Sequence, residues 1–483
     1  MNTTARTSNP QLPSAMSLNE AQELLTLYAS NPPFRSASDQ ELVLNENPCR
    51  RPVRPEDLEF LDYRGILKEE EVLGLSSLIG HRMLLNINDT DMVLLPLSEN
   101  ESAWREFEHF YSRDNRVLGE MVRSTLETHL FHFLEERAVC TKLVSADDLK
   151  DYFSSVFQEY CSSRNSVVDT ILSRVNRQVS ATTFLIQLLA SSLSGVPAMM
   201  HSAQGNYSAV HYELFSFLER NGYTMRSSED GRIADLQSMV RSRKLHDQPH
   251  TYWQYYLTSS LALANYAHYV ARDPLKFFRY LGALFYQELR SKALASQHKQ
   301  MLQEIFGSDI DTKYFGQQEK YGQDYAVAAF DSLITPTIVK YGNARCQDIV
   351  QGFDEFKLLH EIAEQDLIAQ VIWVDQAKLY QEKGRRIYEK IQSENMQLPL
   401  DTFVEQASEC STTHIHDAHR LLVIEAGVMH FWNALDSSFV FEPGDITLVP
   451  SQRLHGSTVL SGECTYHQPI ISDELMLEFN KMF

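Results

Sequence analysis

Close to its C-terminus the chain carries three histidines whose spacing suits metal ligation. Two lie in Thr413-His414-Ile415-His416, and the third ends Pro450-Ser451-Gln452-Arg453-Leu454-His455. On a β-strand, residues i and i+2 project from one face, so His414 and His416 can point the same way. His455 follows a turn at Pro443-Gly444-Asp445 and comes from a later strand, from which it can close a three-imidazole site. Three neutral imidazoles suit iron, copper, nickel or zinc, and they leave positions open for substrate and oxygen. An H-x-H pair by itself is equally at home as polar strand surface, so the argument for a metal rests on the wider spacing.

That spacing follows the two-part signature of the cupins, small antiparallel β-barrels that grip one metal ion. The first part, G-x5-H-x-H-x3,4-E-x6-G, runs here through Ser408, His414, His416, Arg420 and Gly427, with the first Gly and the Glu replaced. The second, G-x5-P-x-G-x2-H-x3-N, runs through Gly444, Pro450, Gln452, His455 and Val459. Three histidines and no carboxylate remain as ligands. Arg420, in the place of the usual Glu, cannot ligate a cation; it either clamps a substrate carboxylate or points into solvent. His419 beside it has the wrong strand parity for a fourth ligand, and His430 and His467 read as core or rim residues.

Elements that position these residues are legible from periodicity. Over 398–483 the apolar pattern has period two: Leu421-Leu422-Val423-Ile424, Phe439-Val440-Phe441, Ile446-Thr447-Leu448-Val449 and Ile470-Ile471 read as strands between Gly, Pro and Asp turns. The rest reads as helical. After a flexible tail over 1–15, a helical N-terminal domain is expected over 16–145, with a capping box at Ser17-Leu18-Asn19-Glu20 and helices over Glu69–Met83 and Ser102–Glu136. Prolines at 32, 33, 48, 52 and 55 mark a loop-rich crossing. A second helical domain is expected over 146–390, with an aromatic-rich centre from Tyr252 to Tyr286. Glu288 falls among its apolar faces, where a carboxylate needs a partner or a metal.

The 483 residues suit about three domains. A formal net charge of -21 argues against nucleic-acid and anionic-membrane binding, because phosphate would be repelled. The six cysteines form no C-x-x-C pair, the first residues form no signal peptide, and no run of about 18 apolar residues occurs. A cytoplasmic location is expected.

The whole chain resembles one family, the three-domain metalloenzymes that build the N-nitrosourea group of streptozotocin. The likeness extends over Asn47-Pro48-Cys49-Arg50-Arg51, Tyr111-Ser112 with Asn115-Arg116, Tyr252-Trp253-Gln254-Tyr255-Tyr256-Leu257, Phe278-Arg279-Tyr280 with Gly282-Ala283-Leu284, and Arg453-Leu454-His455-Gly456. The resemblance implies a helical dimerisation domain, a haem-oxygenase-like di-iron domain and a mononuclear-iron cupin. The cupin ligands of the family fall on His414, His416 and His455, and a family tyrosine falls on Tyr466. The di-iron ligands are largely lost. Gly195 stands at a ligand Glu position, and a Glu and His pair falls near Asn221 and Asp230. Glu288 matches the second core Glu, while the H-x3-D-x2-H of the last helix reads Gln318, Gly322 and Tyr325.

The resemblance therefore implies a cupin enzyme with one Fe(II) per chain and O2 as co-substrate, a homodimer, and a central domain without its di-iron site. Its small-molecule substrate, an N-hydroxylated amino-acid derivative, would come from a separate N-oxygenase. The cupin would rearrange it oxidatively and form an N–N bond, giving an N-nitroso or diazeniumdiolate type of product. Tyr466 and Arg420 are the candidate catalytic residues. Three alternatives remain: a cupin dioxygenase acting on a thiol or enol, a non-catalytic metal-binding dimeric scaffold for a partner N-oxygenase, and a different central metal site built from Asp230, His268, Glu288 and Asp324.

Overall fold

A computed structural model describes residues 18–31, 53, 55–96, 101–137, 143, 145–195, 199, 213–214, 216, 220, 232–247, 251–316, 324–407 and 410–480. The helical part begins with α1 (Leu18–Ser30), α2 (Leu75–Asn88), α3 (Glu101–Phe110) and α4 (Arg113–Arg137). The helix expected over Glu69–Met83 is a 3-10 turn, Glu69–Glu71, followed by α2. The one expected over Ser102–Glu136 breaks at Tyr111-Ser112, where the Tyr111 hydroxyl donates to the Met92 carbonyl and accepts from the Leu94 N–H.

The helical part continues with α5 (Ala146–Ser162), α6 (Ser166–Ser173), α7 (Arg177–Ala190), α8 (Arg232–Ser242) and α9 (Thr258–Arg272). Ser145 and Asp148 cap the start of α5 reciprocally, each side chain accepting from the other residue's backbone N–H. Next come α10 (Phe277–Phe306), α11 (Lys313–Gly316), α12 (Tyr325–Tyr341), α13 (Cys346–Asp375) and α14 (Ala377–Ser393). Helices α10 and α13 meet backbone to backbone. A Cβ on Gly282 would stand 1.8 Å from the Ile349 carbonyl oxygen, and one on Gly352 would stand 1.9 Å from that of Arg279. The crossed order of these contacts makes the two helices antiparallel, and only glycine fits at either point. Around this crossing Phe153 stacks on Phe353 with ring centroids 4.1 Å apart.

After α14 the chain becomes all-β. Strands β1 (Leu400–Gln406), β8 (Glu463–Ile471), β3 (His419–Ala426) and β6 (Ile446–Val449) form one sheet in that order. Strands β2 (Cys410–His414), β7 (His455–Val459), β4 (Met429–Ala434) and β5 (Ser437–Phe441) form the other. The continuous apolar run in β3 has two destinations. Leu422 and Ile424 face the barrel interior with Phe431, Phe441 and Tyr466. Leu421 and Val423 face outward onto α14 and a closing helix, α15 (Asp473–Asn480). Both faces of the strand are buried, so polar alternation is absent there. The fold is thus mainly α-helical and ends in a C-terminal cupin barrel, as the sequence pattern predicts.

Candidate metal centre

Strands β2 and β7 pair antiparallel with His414 directly opposite His455, which puts the two side chains on one face. His416 lies two residues beyond His414, in the turn after β2, and its carbonyl is held by the Gln452 N–H at 2.7 Å. The three rings form a nearly equilateral triangle, with centroids 4.5, 4.9 and 5.0 Å apart. One nitrogen from each lies within 4.8 Å of the others, and among the described residues this is the one group of His, Cys, Asp and Glu side chains so placed.

The tautomers follow from the backbone. His414 Nδ1 lies 2.9 Å from the Thr412 carbonyl oxygen, and His455 Nδ1 lies 2.9 Å from that of Arg453. A carbonyl only accepts, so each Nδ1 carries the proton and Nε2 keeps its lone pair. The Nε2 atoms of His416 and His455 are buried and make no hydrogen bond to the described residues. Burial holds the His416 and His455 imidazoles far below their ordinary range, and the neighbouring His414 and Arg420 add to this. Two buried Nε2 atoms without a hydrogen bond to the described residues, beside a third imidazole of fixed tautomer, fit a borderline cation.

His414 and His416 open into a cavity of about 550 Å³. Its barrel wall carries two polar pairs. Tyr466 donates its hydroxyl to Glu405 Oε1 at 2.8 Å, and Arg420 Nη1 donates to Asp401 Oδ2 at 2.6 Å. Arg420 therefore lines the cavity instead of pointing into solvent. Phe403, on β1 between these acids, stacks on Tyr466 at 5.2 Å. The opposite wall comes from the N-terminal helices, where Asp57, Phe60, Leu75, Ile79 and Arg82 face the barrel. Sequence reasoning missed Asp401, Phe403 and Glu405, although their i, i+2, i+4 spacing in Leu400-Asp401-Thr402-Phe403-Val404-Glu405 is a strand-face signal. Nothing in the sequence connects Asp57 or Arg82 with the barrel.

The remaining histidines of the barrel are engaged elsewhere. His419 Nδ1 accepts from the Ser451 N–H and its Nε2 faces Asp473. His467 bridges Thr402 and Glu425, and His430 packs on Trp432.

In the helical part, Glu288 is fully buried. It accepts from the Tyr325 hydroxyl at 2.7 Å and lies 3.5 Å from Lys292 Nζ. Gly195 is buried beside Ala264 and Ala267 of α9. His268 is buried in α9, whereas Asp324 is exposed just before α12. Asn221, Asp230, Gln318 and Gly322 lie outside the described residues. No helix among the described residues is long and apolar enough to cross a membrane.

Fold and site together define a helical protein with a C-terminal cupin whose three histidines could hold a metal ion. No protein-family model matches the chain. It is 31% identical over 465 residues to the nitrosourea synthase of Streptomyces achromogenes subsp. streptozoticus, an alignment covering 96% of this chain and 98% of that one. The chain belongs to the nitrosourea synthase family, a family of enzymes.

Proposed function

We propose that the barrel holds one Fe(II) on His414, His416 and His455, and that the enzyme uses O2 to rearrange an N-hydroxylated, amino-acid-derived substrate with formation of an N–N bond. The product would be of the N-nitroso or diazeniumdiolate type, made in specialised metabolism. The observation that carries this reading is the convergence of three imidazoles, two of which line a cavity with charged walls. Bound there, the metal would supply a redox-active Lewis acid with open positions.

The chain's own residues would bind and orient the substrate. Tyr466, its proton engaged by Glu405, offers a hydroxyl oxygen to a substrate N–OH group. Arg420, which lines the cavity beside Asp401, would clamp a substrate carboxylate through its guanidinium. Leu75, Leu78 and Ile79 of α2 would give the substrate an apolar surface on the opposite wall.

The central helices would hold no di-iron site. Glu288 is engaged by Tyr325, and the Lys292 ammonium supplies the neighbouring positive charge. The N-oxygenated substrate would then come from a separate N-oxygenase. A cytoplasmic homodimer completes the reading.

The test is iron content per chain after anaerobic reconstitution, for the wild type and His414→Ala. About one iron in the wild type and almost none in the variant is expected. A variant that retains about two irons would return the oxygenase to the central helices.

A further inference from the structure

Thr413 and Leu454 stand immediately before His414 and His455, the two histidines that face each other across β2 and β7. Strand β2 is an edge strand, and the backbone groups of Thr413 are satisfied by side chains from the helical part. The Thr413 N–H donates to Gln254 Oε1 at 2.7 Å, and its carbonyl accepts from Arg82 Nη1 at 2.6 Å. Leu454 is held in the same manner. Its N–H donates to Gln370 Oε1 at 3.0 Å, and its carbonyl accepts from Gln370 Nε2 at 3.0 Å. Gln254 and Gln370 are both almost completely buried.

Each amide is itself seated on a rigid element. Gln370 projects from the 30-residue helix α13. The Tyr252–Leu257 segment is tied to α7, where Gln187 donates to the Tyr255 carbonyl and accepts from the Leu257 N–H. The same segment supports Arg82, whose guanidinium lies 5.3 Å from the Trp253 ring centroid. This gives a physical reason for two of the segments in which the family resemblance was found.

We propose that Gln254 and Gln370 are positioning residues of the metal site: they set the separation of His414 and His455, so that the helical part holds the geometry of the barrel's metal ligands. This rests on the reading that the three histidines bind a metal. A ligand site tolerates displacements of only about 0.5 Å. The groups that orient ligands change metal affinity by about 10- to 100-fold when removed.

The full chain is titrated anaerobically with Co(II) alone, and both affinity and visible absorption are recorded. Gln370→Met and Gln254→Met are near-isosteric and remove the amide. Gln254 gives Thr413 only its oxygen, so Gln254→Glu keeps an acceptor and acts as the conservative rescue. Phe330→Leu, buried on α12 rather than on the helix that carries Gln370, supplies a loss of stability unconnected with the two amides.

Both Met variants are expected to bind Co(II) about 10- to 100-fold more weakly, with shifted absorption bands. Gln254→Glu should recover affinity, and Phe330→Leu should lower Tm with the Co(II) affinity and spectrum of the folded protein unchanged. Wild-type affinity and spectrum in both Met variants would overturn the proposal while leaving the metal site intact. A wild type that binds no Co(II) in a His414-dependent manner would overturn the metal reading, and this inference with it.

Discussion

The Tyr466 hydroxyl donates to Glu405 across 2.8 Å on the wall of the cavity that receives His414 and His416. The pair joins two strands, β8 and β1, at a level where Phe403 stacks on the tyrosine ring. It places one hydroxyl and one carboxylate on the wall of the cavity into which His414 and His416 open. Tyr466→Phe should therefore lower turnover by roughly 100-fold, within the range of a lost proton-handling group. Iron content should stay at the wild-type level. Single-turnover kinetics on the reconstituted enzyme check this; equal rates would reduce Tyr466 to a packing residue.

Arg420 is held by Asp401 on the same wall. Arg420→Met should raise KM by about 10-fold or more, the worth of a charged hydrogen bond, with kcat little changed. The increase should vanish for a substrate analogue with a carboxamide in place of the carboxylate. A comparison of the two substrates with the wild type and the variant decides it.

Glu288 and Lys292 form a buried pair with Tyr325 among the helices. Lys292→Met leaves a buried carboxylate with one partner fewer and should cost about 3–5 kcal/mol of stability. Metal content per chain should not change. Urea unfolding together with metal analysis tests both halves; lost metal would show that this region contributes ligands.

Burial pushes His81 and His298 each down to about 3, with His129 and Arg290, respectively, adding repulsion. In the unfolded chain these imidazoles take up protons near pH 6.5, whereas in the fold they do so only near 3. Stability is therefore lost as pH falls through that window, by up to about 1.4 kcal/mol per pH unit per group. Glu127, pushed up to about 7, and Asp354, pushed up to about 6, act in the opposite direction. Further buried histidines, His360 among them, shift the same way as His81. The expected result is a Tm that falls on acidification from pH 6.5 to 4.5. His298 sits between Phe184 and Phe315, so His298→Phe should flatten that slope. An unchanged slope would exclude His298 as a contributor.

Much of this was written locally in the chain. The turn at Gly444 and the strands around Leu421 and Ile446 follow from local pattern, which each short segment encodes alone, whereas His416 lies beyond β2 and owes its place to the turn rather than to strand period. The buried Glu288 that needed a partner was equally readable. What it is partnered with was not. Lys292 is one helical turn away, but Tyr325 comes from a different helix.

Tertiary structure alone decided how the site is enclosed and held. His455 reaches His414 because β2 and β7 pair, an arrangement set by the register of two strands within one sheet. Arg420 faces the cavity because Asp401 on β1 draws it there. The apolar wall on α2 and the amides of Gln254 and Gln370 come from residues tens to hundreds of positions away. Periodicity specifies which face a side chain occupies, but only the packing of one element on another specifies what that face meets.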